Sequence, residues 1–274
     1  MAKCCALGDH ADTSAERVSQ YVFIAVMLLM FTASTTLTSI WCASMSRMGG
    51  MPMPGGWTMS MAWMAMPGQT WTVTAASFLC MWVVMMVAMM LPSLLPMLWR
   101  YRRFVRSTGV TRIDRLTTLV GLGYFCVWTL FGILVFVAGA ALATLTMQLP
   151  TLARAAPLLM GGVLLIAGAL QFTAWKAHYL GCCRAARVPN GKSANSYSAW
   201  RHGLRLGLDC NYCCANLMLI LLVIGVMDLR AMFVVTAAIS VERLLPGGVY
   251  IARASGVIAA GAGLFLMLLE FHTE

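Results

Sequence analysis

Seven apolar runs divide the chain: Tyr21–Trp41, Trp71–Trp99, Leu116–Gln148, Ala155–Trp175, Leu206–Met227, Ala231–Leu245 and Val249–Leu269. A helix needs about 20 apolar residues to cross a bilayer, and only the sixth run falls well short of that. The pattern predicts an all-α polytopic transmembrane helix bundle of about seven spans. The second and third runs are long enough to tilt or to extend past the bilayer. The sixth ends in Glu242-Arg243-Leu-Leu-Pro246 and reads as partly re-entrant. Residues 1–20 form a tail, 21–269 one membrane domain with its longest outer loop at 42–70, and 270–274 a short outer tail. The first run follows acidic as well as basic residues and lacks a small-residue cleavage site, so it reads as an anchor rather than a leader.

The polar positions between the runs are asymmetric. Arg100–Arg115 carries six arginines and Lys176–Arg205 six more basic residues, whereas the alternate connections carry Arg47, Arg154 and Arg230. The positive-inside bias predicts a cytoplasmic N-terminus and, with an odd number of spans, an outer C-terminus. The expected location is a bacterial inner (cytoplasmic) membrane, with the lipid bilayer as first partner.

Composition sharpens this picture. The 274 residues are 61% hydrophobic and 10% charged, against about a quarter charged in soluble domains. The net charge of +10 sits in short connections, so it is an orientation signal and not a nucleic-acid footprint. The ten cysteines lie mostly in or beside apolar runs, many on the side predicted to be cytoplasmic, where thiols stay reduced. Cys4, Cys5 and His10 stand apart on the N-terminal tail. Walker loops, dinucleotide fingerprints, nucleophile elbows and His-Glu-x-x-His patterns do not occur in the sequence.

The candidate chemistry is sulfur. The fifth run opens His202-Gly203-Leu-Arg-Leu-Gly207-Leu-Asp209-Cys210-Asn-Tyr-Cys213-Cys214. At about 100° per residue, His202, Asp209 and Cys213 fall within about 40° of arc, and Cys210 and Cys214 form an i, i+4 pair. Ionisable groups inside a bilayer are costly, so their presence asks for a function. Soft thiolates favour Cu(I), with Zn(II) as the other candidate. The second run carries Met81, Met85 and Met89 at i, i+4, i+8, with Met90 before Pro92, a thioether stripe that also serves plain packing. The fourth run exits through Lys176, His178, Cys182 and Cys183, and the sixth ends at Glu242. All these termini are predicted to share the inner leaflet. The bland alternative pairs Glu242 with Arg243 or Arg253. The outer loop holds eight methionines from Met45 to Met66, with Trp57 and Trp63 among them, and reads equally as a soft-ion capture element or an interfacial anchor.

The Cys210-x-x-Cys213-Cys214 run, the Glu242-Arg243-Leu-Leu-Pro246 close and Met89-Met90-Leu91-Pro92-Ser93 together resemble domain-of-unknown-function family 2182, described as predicted metal-binding integral membrane proteins. The resemblance runs from the second span to the sixth. The family's fourth-span exit carries a Cys-Leu-x-x-Cys-Arg pattern. Leu180, Cys183 and Arg184 match it, Tyr179 stands at the first cysteine position, and Cys182 or His178 is the substitute there.

The expected function is therefore soft-metal handling for uptake, trafficking or delivery to a membrane enzyme, with a metallochaperone or a metal-dependent membrane enzyme as partner. The expected ligand set is Cys210, Cys213, Cys214, His202, Asp209, Cys183, Cys182, His178, Glu242, Met85, Met89 and Met90. Two rivals stand beside it: a membrane thiol–disulfide oxidoreductase working through Cys210, Cys213 and Cys214, and a non-catalytic assembly subunit with a structural metal.

Overall fold

The computed structural model describes residues 3–53, 57–59, 63, 69–110, 112–185, 195–245 and 247–273. Eight helices follow one another: α1 (Lys3–Met48), α2 (Trp71–Ser107), α3 (Ile113–Gln148), α4 (Pro150–Leu170), α5 (Ala174–Ala185), α6 (Ser196–Ile224), α7 (Leu229–Leu244) and α8 (Gly248–Thr273). A two-residue antiparallel bridge pairs Met51–Pro52 with Thr58–Met59. The fold is the expected all-α bundle. Six stretches, Arg17–Arg47, α2, α3, α4, α6 and Gly248–Leu269, are long and apolar enough to cross a membrane, which makes this a multi-pass membrane protein.

Side-chain contacts give each helix its direction. The Arg102 guanidinium reaches Ser19 Oγ at 2.9 Å and Asp114 Oδ1 at 2.6 Å, so the C-terminal half of α2 meets the helical entries to α1 and α3. We call this the arginine-rich end. At the methionine-loop end, Cys42 Sγ lies 3.9 Å from Met232 Sδ, which ties α1 to the start of α7. Arg243, at the other end of α7, reaches Ser93 Oγ at 2.8 Å. Helix α7 has 16 residues, about 24 Å at 1.5 Å per residue, yet it runs from the level of Cys42 towards the arginine-rich end. It is not among the six stretches long and apolar enough to cross, and it ends against Cys210 inside the bundle.

Glycines set the closest crossings. A Cβ on Gly203 would collide with the Val120 carbonyl, and one on Gly207 would sit 2.9 Å from the Tyr124 carbonyl. Parallel helices α3 and α6 therefore approach backbone to backbone, as small residues allow in membranes. Antiparallel α4 and α8 do the same through Gly161 against Gly263 and Gly168 against Gly256. On the other side of α3, Trp82 of α2 lies over Gly132 and its indole N–H donates to the Trp128 carbonyl at 3.0 Å.

Local chemistry fixes the helix ends. Asn195 and Ser198 form a reciprocal capping box at the start of α6. Asp228 accepts from the backbone N–H of Arg230 and Ala231 at 2.8 and 3.0 Å to start α7. The fourth apolar run is not one continuous helix. It ends at Leu170, turns through Gln171–Thr173 and restarts as α5, whose Lys176 N–H is capped by Thr173 Oγ1 at 3.3 Å. The polar Gln171 and Thr173 inside an apolar run were the sequence signal for that break.

The methionine loop folds back on the bundle where it is described. Trp57 Nε1 donates to the Ala153 carbonyl at 2.8 Å, and Trp63 packs tilted against Phe78 with centroids 5.2 Å apart. Met61, Met64 and Met66 of the expected capture element, Pro246 of the closing motif, and the side chains of Cys4, Cys5 and His10 lie outside the described residues.

The α3–α6 crossing yields a stability prediction. Gly203→Ala forces two backbones apart and should cost about 1–3 kcal/mol, the usual range for overpacking. Gly261→Ala, which meets nothing within 4 Å, should leave stability close to that of the parent. Thermal unfolding in detergent, followed by circular dichroism, distinguishes the two.

Candidate metal centre

The three thiols of α6 are buried, with Cys210 at 0% exposure and Cys213 and Cys214 at 1%. The close α3–α6 crossing brings Tyr124 against them, and its hydroxyl is 2.9 Å from Cys210 Sγ. Cys210 Sγ lies 3.9 Å from Cys214 Sγ and 4.0 Å from Met90 Sδ of α2. Met85, Met86 and Met89 are buried along the same α2 face. One thiol and one thioether thus meet on the Cys210 sulfur, deep in the bundle.

A second group of thiols leads outward along α5. Cys183 is buried, donates to the Asp209 carbonyl at 3.3 Å and interacts with the Cys213 side chain. Cys213 in turn interacts with Cys214. One residue before Cys183, the half-buried Cys182 lies 3.7 Å from Nε2 of the exposed His178. The sulfurs of Cys183, Cys213, Cys214, Cys210 and Met90 follow one another from α5 to α2. Among the described residues, no three His, Cys, Asp or Glu side chains close on a single metal position.

Three ionised side chains accompany the sulfurs. Lys176 Nζ sits 2.7 Å from Glu242 Oε2 and 2.7 Å from the Cys213 carbonyl, and Ser255 Oγ donates to Glu242 Oε1 at 3.0 Å. Glu242 therefore pairs with Lys176, not with Arg243 or Arg253. The reason is helical geometry, since residues 242 and 243 diverge by about 100° around α7. Arg243 points the other way. Its Nη1 is 2.8 Å from Ser93 Oγ and 2.9 Å from Cys210 Sγ, and its Nη2 is 3.5 Å from Met97 Sδ.

The fold thus gathers Cys210, Cys213, Cys214, Cys183 and Met90 of the expected set. Met85 and Met89 line α2 beside them. Asp209 contributes its carbonyl to Cys183. His202 lies further towards the arginine-rich end, stacked on Tyr101 with centroids 5.3 Å apart, and Glu242 is committed to Lys176 and Ser255. Tyr124, Ser93, Met97 and Ser255 were not singled out from the sequence, because a lone hydroxyl or thioether in an apolar run carries no spacing signal. Lys176 was visible only as a flanking basic residue, and Arg243 as a member of the closing motif beside Glu242.

The buried ion pair generates its own prediction. Lys176→Met or Glu242→Met alone leaves an uncompensated buried charge and should cost about 3–5 kcal/mol. The double variant should lose far less than the sum of the singles. Denaturant or thermal unfolding of all four proteins in the same detergent completes the cycle, and strictly additive losses would show that the two charges do not interact.

Residues 79–266, more than half of the chain, match the family model PpoB2, described as copper chaperone. The matched stretch runs from α2 to α8 and takes in Met90, Cys183, the three α6 thiols and Glu242. No curated protein and no solved structure matches the chain. The match is not to family 2182 by name, and it carries the expected kinship at the coarser level of metal-handling proteins. This chain belongs to the PpoB2 copper chaperone family.

Proposed function

We propose that the protein carries Cu(I) as cargo within the membrane, held at Cys210, Cys214 and Met90 and exchanged through Cys213 and Cys183. The carrying observation is the pair of sulfur–sulfur separations around Cys210, 3.9 Å to Cys214 and 4.0 Å to Met90. Sulfurs bound at about 2.3 Å to one ion and spread about 120° apart are about 4 Å from each other. A donor set of thiols and a thioether suits Cu(I) better than Zn(II), which prefers a closed four-ligand shell.

Charge balance supports the same cargo. Two thiolates and one Cu(I) carry a net negative charge, and the Arg243 guanidinium beside Cys210 is the cation that offsets it. Lys176 is already matched by Glu242. The outward sulfurs suit transfer, because an ion that trades one sulfur for the next never has to leave as a bare charge. On this reading His178 and Cys182, at the edge of α5, are where a metallochaperone exchanges copper. The Cys42–Met232 pair and the methionine loop serve the opposite end, towards a copper-dependent membrane enzyme.

The measurement is Cu(I) affinity of detergent-purified protein, titrated anaerobically against a chromophoric chelator. Cys210→Ser with Cys214→Ser removes two direct ligands and should weaken binding by more than the about 100-fold upper range of losses from outer-shell changes. His202→Phe, which keeps a ring against Tyr101, should bind as the parent does. Equal affinity in the double variant and the parent would sink the assignment. Finding Cys210 and Cys214 as a disulfide in acid-quenched cells would favour the oxidoreductase instead.

Orientation completes the reading. The arginine-rich end faces the cytoplasm of an inner membrane, with the N-terminus there and the C-terminus outside, as the basic connections require. Reporter fusions after Arg106 and Asn195 should read cytoplasmic and one after Pro54 external. An external signal at Asn195 reverses the direction of transfer.

A further inference from the structure

Gln171 sits at the turn between α4 and α5 and is 3% exposed. Among the described residues, neither Nε2 nor Oε1 of its side chain has a hydrogen-bond partner. Leaving both ends of a buried amide unmet is costly, and more so away from bulk water. The amide lines a cavity of about 320 Å³ between α5 and α8. Thr173, Lys176 and Arg253 share that lining, with Phe172 and Leu180 as apolar wall. Thr173 Oγ1 is spent on the Leu170 carbonyl. Lys176 Nζ spends two donors, on Glu242 and the Cys213 carbonyl, and an ammonium has three. Arg253 is exposed and makes no ion pair among the described residues.

These features describe a ligand. It must offer an acceptor to the Gln171 N–H and a donor to the Gln171 carbonyl oxygen. It meets a guanidinium at the mouth, where a negative charge is favoured. It is larger than a few waters, which occupy about 30 Å³ each. The cavity opens between two helices of a membrane bundle beside an exposed guanidinium, and basic pockets between membrane helices bind lipid headgroups. A phosphate ester that also carries free hydroxyls meets every condition. We infer that this cavity binds the phosphoglycerol headgroup of an anionic membrane lipid, with phosphate towards Arg253 and hydroxyls on Gln171. The site is separate from the sulfurs, and the inference does not rest on the copper reading.

The test uses full-length, delipidated protein in neutral detergent. Native mass spectrometry measures retention of added phosphatidylglycerol, phosphatidylcholine or glycerol 3-phosphate, and thermal shift measures stabilisation by each. Phosphatidylglycerol should be retained over phosphatidylcholine and should raise the melting temperature. Gln171→Leu and Arg253→Gln should each lower that retention about tenfold, the scale of one lost charge-assisted or buried hydrogen bond. Gln171→Leu also removes the unmet amide, so without lipid it should unfold no earlier than the parent while losing the lipid-induced shift. That result separates ligand loss from misfolding. Equal retention by parent and both variants, or equal retention of the two lipids, overturns the proposal, as does a cavity that takes up water only. Full competition by glycerol 3-phosphate overturns the lipid source and assigns the same chemistry to a soluble phosphate ester.

Discussion

Three ionised side chains, Lys176, Glu242 and Arg243, lie buried in a bundle whose surroundings are apolar, and the interior is arranged around neutralising them. Lys176 and Glu242 cancel across 2.7 Å and join α5 to α7. Ser255 extends the link to α8, and the Cys213 carbonyl extends it to α6. Arg243 cannot shed its proton, so it needs polar or polarisable partners from α2 and α6. Ser93, Met97 and Cys210 supply them. Any shift of α7 along its axis would separate these charges together, so the ion pair and the guanidinium set the register of four helices around the thiols.

The same arrangement explains why the sulfurs suit passage more than storage. Donors meet in twos and threes along a path instead of closing a cage. Cys210 gathers Cys214 and Met90, Cys213 interacts with Cys214 and Cys183, and Cys182 lies near His178. A site completed by a thioether, a neutral ligand, binds a soft monovalent ion without adding negative charge to the interior. The short α5, produced by the break at Gln171–Thr173, makes the path possible. A fourth run continued as one straight helix would have no turn at which to re-aim Lys176 and Cys183 towards α6.

Much of the fold was legible from hydropathy alone. Runs of about 20 apolar residues have one solution in a bilayer, so the all-α bundle followed from length and composition. The Cys210-x-x-Cys213-Cys214 spacing also pointed to a site, because thiols at i and i+4 on a helix are neighbours whatever the tertiary structure does. The rest of the ligand set was not legible. Convergence at one end of a bundle does not say which side chains meet, and His202, Glu242 and the His178–Cys182 pair went to different partners.

The sequence by itself determined the membrane class, the alternation of spans, and the presence of soft donors on α2, α5 and α6. These rest on interactions between residues a few positions apart, or on composition averaged over a run. Only the tertiary structure decided that Met90 meets Cys210, that Tyr124 and Arg243 flank the same thiol, and that Glu242 answers Lys176 across 66 residues of chain. Those contacts depend on how closely two helices approach and on the rotation of each about its axis. Such quantities come from glycine crossings and buried charges acting together, and no local spacing encodes them.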